Sequence, residues 1–357
     1  MEKELRRTAR RIPEETSACL RGTEAVEKLA PVALREAEDN VSSTAPRGTD
    51  ERAISRLIEK LNSLLEGEEA AAALVVCGQR AVEPLRRFLI EGRPSVIYQP
   101  RRWAVQALAG LDAKDVLLEY LRCDKPIPDA VARMGEEAVQ NAAATALKQW
   151  PSEEVYEVLT GILQHRHLPG AVGTLGELGR SEAIPFIIAA LEDDVCRAMA
   201  EDALGKMGES AVPELILAAL NPWPNRDEET PASLLRRSSA AKVLVAIGVS
   251  EERWARLRPL INETAPAILV ATARMAWHLG DKADTEAIAE RLVSAISDAD
   301  WYFRNEIGDV LAEIYDAARP IVEREIALRS HLPLEKRVFD AVLRTLLRVK
   351  RRAEEER

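Results

Sequence analysis

Hydrophobic residues recur at helical spacing along most of the chain. Near the start of the regular part, Leu57, Ile58, Leu61, Leu64 and Leu65 fall on one face of a predicted helix. No stretch alternates like a strand over a useful length, and no heptad pattern is sustained. The pattern therefore predicts an all-α protein whose amphipathic helices pack against one another.

One helical unit occurs twice in succession between residues 168 and 220. The segment TLGELGRSEAIPFIIAAL is followed 29 residues later by ALGKMGESAVPELILAAL. Each copy predicts a helix, a turn at Gly179 or Gly208, and a second helix with Pro185 or Pro213 in its first turn. Glycine can adopt the left-handed conformation that ends a helix, and a first-turn proline loses no hydrogen bond. The unit is therefore a predicted helical hairpin.

The same turn position can be followed through the chain at intervals of 34, 39, 28, 29, 40, 32 and 35 residues. Repeats of this length predict a solenoid, in which each hairpin buries its apolar face only against its neighbours. We therefore expect an α-solenoid (a superhelix) of about eight hairpins, with the second helices lining its concave face. The turn positions are Gly78, Asp112, Pro151, Gly179, Gly208, Gly248, Gly280 and Tyr315.

Three intervals carry proline-rich insertions between a second helix and the next first helix. Connections of this kind leave a solenoid on one edge and often carry recognition. The first insertion is EGRPSVIYQPRRW (91–103), the second is CDKPIPDAVARMG (123–135), and the third is NPWPNRDEETPAS (221–233).

Outside the repeats, the pattern predicts three further segments. Residues 1–38 form an N-terminal helical segment, 39–50 form a linker, and 351–357 form a charged tail, which leaves 51–350 for the solenoid. The segment from Leu332 onward predicts one amphipathic helix that caps the array.

Charge and cysteine content narrow the class of protein. The net charge of −10 opposes general binding to nucleic acid. The four cysteines are far apart and form no CxxC pair, which indicates neither a zinc site nor a disulfide framework and suits a reducing compartment. No apolar run is long enough for a membrane span or typical of a secretory signal. We expect a soluble cytoplasmic protein.

Motifs for catalysis or cofactor binding are missing from the sequence. It contains no GxSxG, no GxxxxGK[ST] and no HExxH. The histidines His165 and His167 are two residues apart, which places them on different faces of a helix. We therefore expect no metal, no cofactor and no enzymatic activity.

A recurrent basic residue lies near the start of several first helices. It is Arg101, Arg197, Arg237 or Arg304, while Gln140 and Leu269 stand there in two other repeats. The residue before it is apolar in several repeats, so Cys196 is predicted to be a buried side chain and not a reactive thiol.

The repeats resemble HEAT repeats of the short type found in phycobilisome lyases and many bacterial scaffolds. DDVCRAMAEDALGKMGESAVPELI and DADWYFRNEIGDVLAEI carry the resemblance, which extends over roughly residues 50–350. It implies that Arg197, Arg237 and Arg304 have a structural role, bonding carbonyls or acidic groups of an adjacent repeat. It also implies an alternative function, that of a bilin-lyase-like enzyme subunit or chaperone holding a tetrapyrrole and its acceptor protein.

Aromatic residues beside arginines are typical anchors of protein interfaces. They predict a non-catalytic scaffold or adaptor that binds another protein through the concave face and the insertions. Trp103 could instead pack between repeats, with the neighbouring arginines binding structural partners. A nucleic-acid binder using the patches Arg6–Arg11 and Arg101–Arg102 is a third possibility. The candidate binding residues are Tyr98, Arg101, Arg102, Trp103, Trp223, Arg226, Arg236, Trp301 and Tyr302.

Overall fold

The computed structural model describes residues 47–123 and 126–355, and this part of the chain contains nineteen α-helices and no strand. The helices are α1 Arg47–Lys60, α2 Gly67–Val76, α3 Val82–Glu91, α4 Gln99–Gly110, α5 Lys114–Arg122, α6 Ala130–Ala146, α7 Glu153–Leu163, α8 Pro169–Leu178, α9 Ile184–Ala189, α10 Arg197–Met207, α11 Val212–Leu220, α12 Pro231–Ile247, α13 Glu251–Leu257, α14 Pro266–His278, α15 Lys282–Ala295, α16 Trp301–Glu313, α17 Tyr315–Ser330, α18 Leu334–Phe339 and α19 Ala341–Glu355.

The chain divides into two compact units, Met1–Ala53 and Ile54–Arg357. The described part of the first unit is helical and belongs to α1, which begins inside the segment expected to be a linker. The predicted N-terminal helical segment, 1–38, lies outside the described residues, as does the rest of the linker up to residue 46.

Helices α2 to α17 form eight successive hairpins in the second unit. The even-numbered helices are the first helices, and each packs against the first helix of the next hairpin. Most of the odd-numbered second helices pack in the same way, forming a parallel layer. The predicted all-α solenoid of about eight hairpins is confirmed.

Glycine ends the first helix wherever the turn takes a positive φ, with one exception. The backbone φ is positive at Gly78, Gly179, Gly208, Gly248 and Gly280, at values from 58° to 92°. Since a Cβ at these five sites would meet no atom within 4 Å, the backbone conformation and not lack of space requires glycine. Among the described residues, Asp112 is the one non-glycine with positive φ, and its carboxylate accepts a hydrogen bond from the Trp150 indole of the next turn.

Small residues allow successive first helices to approach closely. A Cβ placed on Gly176 of α8 would lie 2.5 Å from the Cβ of Ala203 in α10. The two backbones are therefore in direct contact, and leucine, isoleucine, valine and alanine side chains fill the continuous core on either side.

The C-terminal segment forms two helices where the sequence predicted one. Asp340 has extended backbone, and its carboxylate accepts a hydrogen bond from the Leu343 N–H at 2.9 Å, so it ends α18 and caps α19. Helix α19 packs against α16 and α17 and buries Val342, Leu346 and Val349. It continues to Glu355, so residues 351–355 of the expected tail are helical.

Candidate functional site

One edge of the solenoid consists of the segments that join each second helix to the next first helix. We call this the connection edge: these segments together with the first turn of each following helix. Contacts join its successive parts. A Cβ on Gly135 would lie 2.0 Å from the Ser95 carbonyl oxygen, and Arg236 Nη1 donates to Glu192 Oε1 at 2.7 Å. All nine candidate binding residues lie on or just inside this edge.

Two of the candidates, Arg101 and Trp103, lie in the interior and not on the binding surface. The guanidinium of Arg101 donates from Nε and Nη2 to the Leu89 carbonyl oxygen, at 3.2 and 2.7 Å, and from Nη1 and Nη2 to the carboxylate of Glu136. Trp103 is 6% exposed, and its ring packs over Gly67 of the preceding first helix. Arg101 therefore ties α4 to α6 and to the end of α3.

Arg237 has the same role one insertion later. Its fully buried guanidinium donates from Nε to the Ala219 carbonyl oxygen at 2.9 Å, from Nη1 to Glu229 at 2.8 Å, and from Nη2 to Glu263 at 2.6 Å. Ala219 lies in the last turn of the preceding hairpin, and Glu263 lies shortly before the next first helix. The single side chain therefore joins three successive repeats and the third insertion.

Arg304 and Arg197, the other two recurrent basic residues, make fewer side-chain hydrogen bonds than Arg101 and Arg237. Arg304 Nε donates to the Ile296 carbonyl oxygen at 3.2 Å, which fits the structural role implied by the resemblance. Arg197 instead pairs with Asp194, one turn earlier, at 2.5 Å. The uninterrupted repeat of Arg197 thus lacks the link between repeats that Arg101 and Arg237 provide.

The third insertion holds Trp223 in an ordered loop. The backbone N–H of Trp223 donates to Ser233 Oγ at 2.9 Å, and the backbone carbonyl oxygen of Trp223 accepts from the Thr230 backbone N–H at 3.1 Å. The Asn225 side chain accepts from the two backbone N–H groups that follow Arg226, closing a tight turn. The indole itself is 63% exposed, so the loop presents an aromatic ring to solvent from a fixed backbone.

Arg226 of this insertion and Arg236 of the following helix, α12, connect the insertion to neighbouring repeats. Arg226 donates to Glu263 at 2.8 Å while its own side chain remains 56% exposed. Arg236 donates to Glu192 and to the Asn221 carbonyl oxygen, and its side chain is mostly buried. Arg236 is therefore a structural tie, whereas Arg226 keeps a surface available to a ligand.

The first turn of α16 carries a second exposed aromatic pair. Asp300 caps the helix by accepting from the Phe303 N–H at 2.8 Å. Trp301 and Tyr302 are 77% and 57% exposed, whereas Phe303 packs against the core and meets the Tyr302 ring edge to face at 5.3 Å. Of these three adjacent rings, two therefore face solvent and one faces the core.

The comparisons with known proteins agree with this architecture. Residues 170–193, which cover α8 from its second residue and all of α9, match the family model described as PBS lyase HEAT-like repeat. The chain is a HEAT-like repeat protein. No curated protein matches it significantly.

The HEAT-like array exposes further apolar side chains on the connection edge that the sequence interpretation missed. In the first insertion, Tyr98 is 37% exposed beside an exposed Arg102, and further exposed aliphatic side chains lie in this insertion and at later connections. These side chains fall in connecting segments or at the start of the following helix, where helical periodicity gives little signal. They are Val96, Ile97, Val131, Met134 and Val195.

Within residues 47–123 and 126–355, no three His, Cys, Asp or Glu side chains are grouped so that they could hold a metal ion. Cys196 is buried as predicted, and burial raises the pKa of its thiol to about 12. Among the same residues, no helix is long and apolar enough to cross a membrane.

Proposed function

We propose that this HEAT-like solenoid is a non-catalytic scaffold or adaptor that binds another protein through its connection edge. The observation that carries the proposal is the exposure of Trp223 and Trp301 on backbones that are already ordered. Tryptophan is enriched among the residues that dominate binding energy at protein interfaces. Its large apolar surface is left in contact with water here, which a protein partner would relieve.

The rigidity of the edge supports a binding role. Trp223 is held by hydrogen bonds on both sides, and Trp301 stands at the capped start of a 13-residue helix. A partner that docks on these rings does not have to order the loops that carry them. Preformed surfaces of this kind avoid part of the entropy lost on association.

Charge favours a protein partner over a nucleic acid. Arg226 of the third insertion and Arg236 and Arg237 of the following helix donate to Glu192, Glu229 or Glu263, so their charge is largely compensated. The chain as a whole carries a charge of −10. Binding to a phosphate backbone depends on uncompensated cations. The patch Arg6–Arg11 lies outside the described residues.

The test is comparative purification from the native cell. Wild type, Trp223→Ala, Trp301→Ala and the double variant serve as baits, and bound proteins are quantified by mass spectrometry. The control is Val76→Ala, since Val76 is 81% exposed on the opposite, hairpin-turn edge. We expect one set of partners to be retained by wild type and V76A and lost from the double variant. Equal recovery on all baits would refute the proposal.

The alternative, a bilin-lyase-like subunit or chaperone, is motivated by the name of the matched repeat family alone. It predicts that the purified protein changes the absorption spectrum of an added bilin. An unchanged bilin spectrum at high protein concentration would count against it.

A further inference from the structure

The first two insertions enclose a pocket of about 410 Å³. Pro94 contributes one wall, and Pro126, Ile127 and Pro128 contribute the other. We call this the insertion pocket. The two walls come from segments about thirty residues apart in sequence, which meet because Gly135 has no side chain where the Ser95 carbonyl passes. A volume of this size lies in the range of small-molecule sites.

The floor of the insertion pocket is a closed hydrogen-bonded network. Glu136 accepts from the Arg101 guanidinium on both oxygens and from the Tyr120 hydroxyl at 2.6 Å. The Arg101 guanidinium also lies 5.4 Å from the centre of the Tyr120 ring. Burial raises the pKa of Tyr120, so its hydroxyl remains a donor. The polar groups of the floor are therefore held in place before any ligand arrives.

The rim carries the charges that a ligand would meet. Arg133 and Glu137 are exposed on α6, and Arg166 follows α7, with its Nη1 donating to Gln140 Oε1 at 2.7 Å. With the floor included, three arginines and two glutamates line the pocket, which leaves one net positive charge. This local excess stands out in a chain of charge −10.

We propose that the insertion pocket binds a single carboxylate attached to a small apolar body. The proline and isoleucine walls fit the apolar part, and Arg133 with Arg166 fits the carboxylate, since guanidinium groups bind carboxylates through paired N–H donors. A dianion such as phosphate is disfavoured by the two glutamates, and a cation by the three arginines. This site does not involve Trp223 or Trp301. A failure of the protein-binding proposal would therefore leave this proposal unaffected, and the reverse is also true.

The carboxylate has two possible sources, a free acid or the C-terminus of a peptide. Isothermal titration of the full chain with 3-phenylpropionate tests the free acid. Titration with a short apolar peptide bearing a free C-terminal carboxylate tests the second source, and its C-terminal amide is the matched control. Binding of the acid, or of the peptide but not its amide, supports the proposal and identifies the source.

Two variants test whether the carboxylate binds in the insertion pocket. Arg133→Gln removes a rim charge from an exposed side chain and should weaken binding about tenfold or more, as expected for loss of a charge-assisted hydrogen bond. Gly135→Ala leaves the charges unchanged but forces the first insertion away from α6, and should also weaken binding. Arg93→Gln is the control, because Arg93 is exposed in the same insertion and does not line the pocket.

The proposal is overturned by any of three results. One is no binding of either carboxylate source at low millimolar concentration, and another is binding of the peptide amide as tight as the binding of the peptide acid. The third is unchanged affinity in R133Q. Circular dichroism of each variant establishes that it is folded before titration.

Discussion

Replacement of Arg237 by methionine should destabilise the middle of the solenoid. Arg237 is fully buried and donates to Ala219, Glu229 and Glu263. Methionine fills much of the same volume but leaves the carbonyl oxygen and two carboxylates without this donor. Removing one partner of a buried ion pair typically costs 3–5 kcal/mol. Since Glu263 keeps its hydrogen bond from Arg226, we expect the lower end, about 3 kcal/mol.

The matched control is Arg197→Met, at the equivalent position of an uninterrupted repeat. Arg197 pairs with Asp194, whose side chain is 78% exposed. Partly exposed pairs contribute at most about 1 kcal/mol. The predicted difference between the two variants is therefore about 2 kcal/mol.

Hydrogen exchange followed by mass spectrometry is the suitable assay, because repeat arrays need not unfold in one step. In R237M, amide exchange should accelerate in 221–233 and at the starts of α12 and α14, while α4 and α6 remain protected. A second substitution, Glu229→Gln, removes one of the unpaired buried charges and should recover part of the loss. Equal exchange in R237M and R197M would refute the assignment of Arg237 as the link between three repeats.

Three further predictions concern packing, thiol reactivity and pH. Gly176→Ala should cost about 1–3 kcal/mol in urea unfolding, because its methyl group overlaps Ala203, and Ala203→Gly should recover part of it. Iodoacetamide at pH 8 should spare Cys196 in the folded protein and modify it after unfolding; modification of the native protein would contradict its burial. Hydrogen bonds from Arg258 and Trp254 hold the pKa of Asp284 below its usual value, with the Arg258 bond the larger cause. Its stabilising effect is thus present above the unfolded pKa and lost as pH falls through the folded one, so Asp284→Asn should flatten the acid side of the stability curve.

The turn positions could be predicted from the sequence because most of them share one local requirement, a backbone conformation that ends the first helix. Most of the first helices reverse through a residue with positive φ, and glycine supplies this conformation at Gly179 and Gly208 as at three other turns. Asp112 was found only by counting from its neighbours, yet it has the same backbone conformation. Repetition therefore located a turn that its own residue type would not have indicated.

The direction of side chains near the insertions could not be predicted in the same way. An aromatic ring beside an arginine describes both Trp103, which is buried, and Trp223, which is exposed. The difference depends on contacts made elsewhere: Gly67 in the preceding repeat leaves room for the Trp103 ring, whereas hydrogen bonds to Ser233 and Thr230 hold the Trp223 backbone at the surface. The insertion pocket was missed for a related reason, because its walls meet only through the gap left at Gly135.

The third insertion is better understood as part of the framework than as a loop added to it. Its Glu229 is one of the two carboxylates that hold the buried Arg237, and it also accepts a hydrogen bond from Ser233, whose hydroxyl binds the Trp223 backbone. Loss of the insertion would therefore remove both the exposed ring and a partner of a buried charge.

A clean dissection of this insertion must separate those two effects. Trp223→Ala should abolish binding to the partner and leave hydrogen exchange unchanged, because the side chain is exposed and the backbone ties persist. Glu229→Gln should accelerate exchange in 221–233, since the buried Arg237 loses a charged acceptor. Glu229→Gln should weaken partner binding only to the extent that it disorders the loop 221–233. If W223A disturbed exchange as strongly as E229Q, the ring would belong to the framework and not to the binding surface.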